Sequence, residues 1–209
     1  MAEIRPYRED DLEALYRICL ATGDSGAEAA HLYEDPRIIG HVFAAPYGVL
    51  SPQTALVVED KEGVGGYMLG ALDTRAFEAD AEARWWRTLR PLYPDPGPRP
   101  QPGWRRDTLM ACAIHHPPRA PRRIAEPFPS HLHIDLLPRM QGQGLGRRLL
   151  DRWFELIGAM GSKGAHLGVG TANARAIRFY RAYGLTEPAL IWPPPRGVIW
   201  FAKTLETPP

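Results

Sequence analysis

The sequence reads Gln141-Gly142-Gln143-Gly144-Leu145-Gly146-Arg147-Arg148 between a strand-like run, residues 132–137, and a helix-like run, residues 146–160. Glycines let a backbone approach a ligand closely, and the first N–H groups of a helix have no partner within it. Because these groups and the helix dipole favour negative charge, the stretch predicts a phosphate-binding turn. All eight residues are candidate cofactor contacts, and the two arginines can add charge-assisted contacts.

Two common phosphate motifs do not fit this stretch. A dinucleotide fingerprint counted from Gly144 needs glycine at a position that Leu149 occupies, and the Gly-Lys-Ser/Thr ending of a P-loop is absent from the sequence. The remaining pattern, Gln-x-x-Gly-x-Gly, resembles the pyrophosphate-binding signature of the GNAT acetyltransferase superfamily. The resemblance implies acetyl-coenzyme A as cosubstrate; a glycine-rich turn without a ligand is the alternative.

A second segment strengthens this resemblance. Residues 173–185 read Asn-Ala-Arg-Ala-Ile-Arg-Phe-Tyr-Arg-Ala-Tyr-Gly-Leu. They are similar to the superfamily's Asn…Ala-x-x-Phe-Tyr…Gly-Phe segment, with Leu185 in the last place. The resemblance implies that Asn173 contacts the coenzyme A arm and that Tyr180 sits beside the thiol. Phe179 belongs to the same cofactor site, although one ring of the Phe-Tyr pair must also pack the helix on the sheet.

The periodicity and the turn signals predict alternating strands and helices in one domain, residues 1–209. The resemblance implies the mixed α/β fold of the superfamily: a central, mostly antiparallel sheet that splays between its fourth and fifth strands, with helices on both faces. The expected strands cover residues 2–7, 54–59, 64–73, 132–137, 165–169, 188–192 and 198–204, and the expected helices cover residues 10–23, 146–160 and 173–183.

The pattern is interrupted by a long insertion, residues 74–129, between the third and fourth strands. It begins with a helix-like run that contains Trp85 and Trp86, and half of the chain's 22 prolines follow between residues 91 and 129. Such a proline-dense tract is expected to lack regular helix and central strand. The insertion is either a surface excursion or a wall or lid over the acceptor site, because long ordered loops are often functional.

Acyl transfer to an amine requires an unprotonated amine, donors for the oxyanion and a proton for the leaving thiolate. By its match to the Phe-Tyr motif, Tyr180 is the candidate general acid. The resemblance implies that the pantetheine arm lies between the splayed strands. The oxyanion donor is then expected to be the backbone N–H of Leu136 or Leu137; both side chains can also simply pack in the core.

His131, His133 and Asp135 alternate along the fourth strand and therefore share one face. Asp135 is the first candidate for the general base and His133 the second. Asp135 can instead bind the ammonium group of the acceptor or the backbone at the end of the strand, and His131 is assigned a structural or solvent-facing role. The pair His115–His116 can reach the site from the insertion, or, as a loop pair before two prolines, it is solvated. No fourth ligand accompanies the strand residues, so no metal is expected.

The composition limits the classes of binding partner that the protein is expected to have. The formal net charge is +1, and no basic helix or aromatic strand motif typical of nucleic-acid binding occurs. Two cysteines, Cys19 and Cys112, are too few for a disulfide framework, and no apolar run of membrane-spanning length exists. We expect a cytoplasmic protein with a small-molecule or peptide amine acceptor, no nucleic-acid or membrane partner, and a possible homodimer.

The predicted function is acetyl-coenzyme A-dependent N-acetyl transfer to a primary amine by direct attack in a ternary complex. The strand alternation and the insertion also resemble the C-terminal acetyltransferase-like domain of eukaryotic protein O-GlcNAc hydrolases, which is regarded as a pseudo-acetyltransferase. The alternative is therefore an acetyl-coenzyme A-binding or protein-interaction module without turnover. A longer acyl group or an alcohol acceptor is a third reading, and the identity of the acceptor is open.

Overall fold

The computed structural model describes residues 2–189 and 197–205. Within them six strands form one sheet in sequence order, and all neighbouring strands are antiparallel except β4 and β5. This confirms the predicted mixed, mostly antiparallel sheet. The strands are β1 (Glu3–Pro6), β2 (Leu56–Asp60), β3 (Gly63–Ala71), β4 (Ser130–Leu136), β5 (Gly164–Gly170) and β6 (Val198–Thr204).

The parallel pair β4–β5 is joined over two residue pairs, Ser130 with Ala165 and His131 with His166. On its other side β4 stays paired with β3 from His131 to Leu136. The two middle strands therefore separate after His131, which confirms the predicted splay. The separation exposes one edge of β4 and opens a cleft between the halves of the sheet.

Helices cover both faces of the sheet. On one face α8 buries a stripe spaced at helical intervals, which includes Leu149, Trp153 and Ile157, and α9 packs beside it. On the other face α1 to α3 cover Tyr67 and Leu69 of β3. The helices are α1 (Leu12–Thr22), α2 (Ile38–Phe43), α3 (Ala45–Leu50), α4 (Thr74–Asp80), α5 (Arg87–Leu89), α6 (Arg106–His115), α7 (Arg122–Ala125), α8 (Leu145–Ala159) and α9 (Ala174–Tyr183).

The insertion is largely helical. A π-helical segment, Ala81–Trp86, joins α4 to α5, and the insertion packs Trp86 and Ile114 against Ile38 of α2. The expectation that the proline-dense tract lacks regular helix is wrong for α6. No proline lies between residues 102 and 117, so this stretch keeps all of its backbone donors and can form ten residues of helix.

The last strands are only partly described. The expected strand over residues 198–204 is β6, which pairs with β5 along its length. The expected strand over residues 188–192 falls mostly outside the described residues. In the part of the chain that the structure describes, no helix has the length and apolar character to cross a membrane.

Candidate active site

A cleft of about 370 Å³ lies where β4 leaves β5, bounded by the start of α8 and by α9. We call it the α8 cleft. Ten of the residues expected at the cofactor site line it: Leu136, Gln141, Gly142, Gly144, Leu145, Gly146, Arg147, Asn173, Phe179 and Tyr180. The two sequence segments, residues 141–148 and residues 173–180, are thus brought together around one opening.

The glycine turn presents its backbone to this cleft. Gly142 and Gly144 have φ angles of 74° and 72°, in the left-handed region that disfavours other residues. Because α8 begins at Leu145, the first N–H groups of the helix have no partner within it. A Cβ atom at Gly146 would lie 3.1 Å from Cζ of Phe179, so α8 and α9 approach closely here. The turn offers an anion a cradle of backbone donors.

Both glutamines of the motif support the turn from within. The Nε2 group of Gln141 donates to the carbonyl of Leu136 at 2.7 Å, and that of Gln143 donates to the carbonyl of Arg139 at 2.6 Å. Gln141 therefore ties the turn to the end of β4. The side-chain amides shape the loop, and the backbone is what faces the cleft.

Three residues expected at the cofactor site do not line the cleft among the described residues: Leu137, Gln143 and Arg148. Leu137 is buried in the core on the opposite face of the sheet. Gln143 turns back to Arg139, and Arg148 lies one turn into α8, where its N–H already donates to the carbonyl of Gly144. Of the two arginines in the motif, Arg147 borders the cleft and lies over the ring of Tyr183.

The hydrogen-bond register of β4 separates the two candidate oxyanion donors. The N–H of Leu137 donates to the carbonyl of Gly65 at 2.8 Å, so its backbone faces β3. Successive residues of a strand direct their backbone groups to opposite sides, so Leu136 and Ile134 face the gap left by β5. Leu137 lacks the free N–H that an oxyanion donor needs, and Leu136 is the candidate that fits.

Tyr180 is buried on α9 between the rings of Phe179 and Phe201, and it borders the cleft. Burial, together with the carboxylate of Asp135, raises the pKa of its phenol. The hydroxyl therefore keeps its proton throughout the neutral range. Asn173 caps α9 by accepting from the N–H of Ala176 at 3.0 Å, which places its amide at the cleft.

Asp135 lines the same cleft from β4 and is held by Tyr67, its partner in the β3–β4 register. The hydroxyl of Tyr67 donates to Oδ2 of Asp135 at 2.6 Å. Burial raises the pKa of Asp135 to about 6, although the hydrogen bond from Tyr67 opposes the shift. The carboxylate is a stronger base than an exposed aspartate and is mostly ionised at neutral pH.

A second cavity of about 360 Å³ lies on the other side of the splay, and we call it the insertion cavity. His133 projects into it beside Tyr47 and Phe43, with ring centroids 5.2 and 6.2 Å away. Burial lowers the pKa of His133 to about 4, so its imidazole is neutral. Helix α4, the π-helical segment and residues 117–120 of the insertion supply much of the lining, so the insertion is a wall of this cavity.

His131 has a structural environment. The hydroxyl of Thr74 donates its only proton to the carbonyl of Pro129. The same hydroxyl oxygen therefore accepts a hydrogen bond from Nδ1–H of His131 at 2.9 Å. The hydroxyl of Tyr47 then donates to Nε2 at 3.0 Å. Burial and two neighbouring histidines lower the pKa of His131 well below its ordinary value. The neutral ring joins the insertion to β4.

His115 and His116 are not brought to either site. Nε2 of His115 bonds the carbonyl of Tyr93, and Nε2 of His116 bonds Asp95, both at 2.8 Å and both within the insertion. Among the described residues, no cluster of three His, Cys, Asp or Glu side chains is arranged to hold a metal ion.

The sequence did not point to several residues that line the α8 cleft. Arg175 follows Asn173 at the start of α9, and its charge next to the motif could have indicated it. Thr22 at the end of α1 and Ser25 and Gly26 in the turn that follows also line the cleft. Ser25 has a φ of 54°, which is unusual for a residue other than glycine. No local signal places this turn opposite β4.

Comparisons with known proteins identify the family of this chain. Residues 67–185 match the model of the acetyltransferase (GNAT) family. The chain is 24% identical over 202 residues to protein O-GlcNAcase of Rattus norvegicus; the match covers 97% of this chain and 22% of that protein. This chain therefore spans about a fifth of the length of that relative.

Two solved structures share the fold. The crystal structure of SsHAT is 35% identical and superposes with a TM-score of 0.87, over 97% of this chain and 98% of that chain. A putative acetyltransferase from Salmonella typhimurium, solved with its cofactor acetyl-coenzyme A, is 17% identical with a TM-score of 0.54. That match covers 98% of this chain and 94% of the other, and it shows a common fold.

Proposed function

We propose a reaction from the premise that this chain belongs to the GNAT acetyltransferase family. The protein transfers the acetyl group of acetyl-coenzyme A to a primary amine by direct attack in a ternary complex. One observation carries the proposal: two cavities meet β4 at consecutive residues. His133 lines the insertion cavity and Ile134 lines the α8 cleft. Two substrates that enter from opposite sides would meet at this strand.

The α8 cleft suits the coenzyme. Backbone donors at the start of α8, with Arg147 and Arg175 at the margin, match the charge of a pyrophosphate. The backbone of Ile134 and the N–H of Leu136, on the side of β4 that β5 leaves, would match the amides of a pantetheine arm. The N–H of Leu136 would stabilise the oxyanion, as preorganised backbone donors do in acyl transfer.

The chemistry needs two proton movements. The amine loses a proton as its nitrogen bonds the acetyl carbon, and the sulfur gains one as the carbon–sulfur bond breaks. Tyr180, protonated and adjacent to Asp135 in the cleft, would give its proton to the sulfur. Solvent then returns a proton to the phenolate.

Asp135 is our first candidate for the group that takes the proton of the amine. Its pKa of about 6 lies near the working pH, where a general base is both ionised and basic. His133 is the weaker base, because its pKa of about 4 lies further from neutrality. Its neutral imidazole instead accepts a hydrogen bond from the incoming amine and orients it.

Calorimetric titration tests whether the protein binds acetyl-coenzyme A, as the proposal requires. Gly144→Trp places a bulky ring in the anion cradle, and we expect it to weaken binding at least about a hundredfold, roughly 2.7 kcal/mol. Gly161→Trp is the matched control, since Gly161 also has a positive φ, of 85°, and open space but follows the other end of α8. Failure of the folded wild type to bind would overturn the proposal. Binding without thiol release in an amine screen would favour a module without turnover.

A further inference from the structure

We infer that the insertion cavity takes an amine with an aromatic body, an arylalkylamine, as the acetyl acceptor. The inference rests on the proposed function, because it names the acceptor of that reaction. It draws on the aromatic lining of the cavity, its charge balance and its neutral histidine side chains.

The walls of the cavity are aromatic. Tyr47 and Phe77 stack with ring centroids 4.5 Å apart and an angle of 11° between their planes. Phe43, Trp86 and Trp200 also line the cavity, and Nε1–H of Trp200 has no hydrogen-bond partner among the described residues. A volume of about 360 Å³ is within the range of small-molecule sites, and aromatic rings gain contact energy by packing against other rings.

The charges in the cavity are already compensated. Glu78 pairs with Arg75 at 2.6 Å, and Glu82 pairs with Arg90 at 2.6 Å. Arg119, which also lines the cavity, contributes to lowering the pKa of Glu82. The two carboxylates therefore face three guanidinium groups. A second ammonium group, as in a polyamine, would find no free negative partner among the described residues of the lining.

The histidines that line the cavity are neutral. His131 and His133 both have lowered pKa values because they are buried. The first is held by Thr74 and Tyr47, whereas the second borders the cavity beside β4. The neutral imidazoles of His131, His133 and His166 line the cavity together with the aromatic rings, and such a lining suits a single amine on an apolar body. A sugar with many hydroxyl groups would leave most of them without partners.

An acceptor comparison tests the inference. 2-Phenylethylamine, spermidine and glucosamine are supplied at equal concentration with acetyl-coenzyme A, and thiol release is followed. We expect kcat/KM for 2-phenylethylamine to exceed the other two by about tenfold or more, because each of them leaves polar groups unpaired. A preference for spermidine, glucosamine or a peptide amine would overturn the inference.

Ala113→Phe tests the location, because Ala113 lines the cavity from α6 and a phenyl ring there would fill the space. We expect KM for 2-phenylethylamine to rise about tenfold while the Kd of acetyl-coenzyme A stays within about twofold. Ala159→Phe, at an exposed position that ends α8, is the matched control. Phe77→Ala, which removes one wall, should also raise KM and serves if the first variant does not fold. Unchanged KM in a folded variant would contradict the site.

Direct titration separates the two proposals. 2-Phenylethylamine is titrated into protein saturated with coenzyme A, which does not react. Thiol release with another amine, but no binding of 2-phenylethylamine, would overturn the inference and leave the proposed function standing. Binding that Ala113→Phe abolishes, without thiol release from any amine, would support the cavity and overturn the function.

Discussion

The hydroxyl of Tyr67 donates a 2.6 Å hydrogen bond to the carboxylate of Asp135 across the β3–β4 pair. Tyr67 is fully buried, and burial together with the nearby carboxylate raises its pKa well above the ordinary value, so it is always the donor. The bond holds Asp135 at the cleft and restrains the rise in its pKa.

Tyr67→Phe is therefore expected to move the pKa of Asp135 above about 6. The carboxylate would lose a donor that favours its charged form. Titration of the side-chain carboxyl carbon by NMR reports this pKa directly, and the acid limb of the rate profile should move with it. Tyr16→Phe removes a comparable hydroxyl, bonded to His41, and should leave Asp135 unchanged. A fall in the pKa of Asp135 would count against this role of Tyr67.

Tyr180→Phe is expected to lower kcat by about a hundredfold, the usual contribution of a general acid. The Kd of acetyl-coenzyme A should change little, because the ring that packs against Phe201 is retained. Tyr183→Phe provides the control, since its hydroxyl bonds Asp151 on the surface. Steady-state kinetics with calorimetry separate the two effects. Equal loss in both variants would exclude proton donation by Tyr180.

Gln141→Leu is expected to weaken acetyl-coenzyme A binding and to lower the free energy of unfolding by about 1 kcal/mol. The substitution removes the bond to the Leu136 carbonyl and leaves that group unpaired at the cleft. Gln143→Leu loses a similar bond, to Arg139, in an exposed position and should have a smaller effect on both measurements. Calorimetry and urea unfolding compare the variants. The opposite order of effects would refute the role of Gln141 in tying the turn to β4.

Asp135→Asn is expected to stabilise the folded protein above pH 6. Folding raises the pKa of this carboxyl from 3.8 to about 6. Between these values the folded state holds a proton that the unfolded chain has released, so stability declines as pH rises through the window. The side chain of Asp135 is only partly buried, so the loss of folding free energy at neutral pH is limited to about 1–2 kcal/mol. The amide avoids this cost.

Urea unfolding at pH 8 and near pH 4 checks the expectation. The variant should be the more stable protein at pH 8, and the difference should shrink toward pH 4. A variant that is less stable at pH 8 would show that the carboxylate is not strained by burial. A gain in stability with a loss of activity would match a group retained for chemistry.

Much of the sheet and the cofactor turn could be predicted because both depend on local signals. The alternation of residues 131–135 placed three polar side chains on one face, and the glycines of residues 142–146 marked the turn. The choice between Leu136 and Leu137 could not be made, since it depends on which neighbour each backbone group faces. That depends on pairing with β3, far away in sequence.

The insertion shows the other limit of sequence-based prediction. The expectation that it lacks regular helix rested on its proline content. The proline-free stretch before Pro117 is nevertheless long enough to form α6. The bond from Tyr67 to Asp135 and the cavity between Phe77 and His133 bring together distant segments. Such contacts arise from tertiary packing, which no local pattern encodes.

The pairing of β4 with β5 over two residue pairs also has a thermodynamic consequence. The sheet is paired over only part of its middle, between β4 and β5. A ligand that forms hydrogen bonds to both strands would bridge the gap between them. Ligand binding would then stabilise the folded protein. At a concentration of a hundred times its Kd, a ligand that binds only the folded state adds about 2.7 kcal/mol to the free energy of unfolding. Because β4 and β5 are paired over so short a length, the melting temperature of the protein is expected to rise with the concentration of the substrate that binds between them.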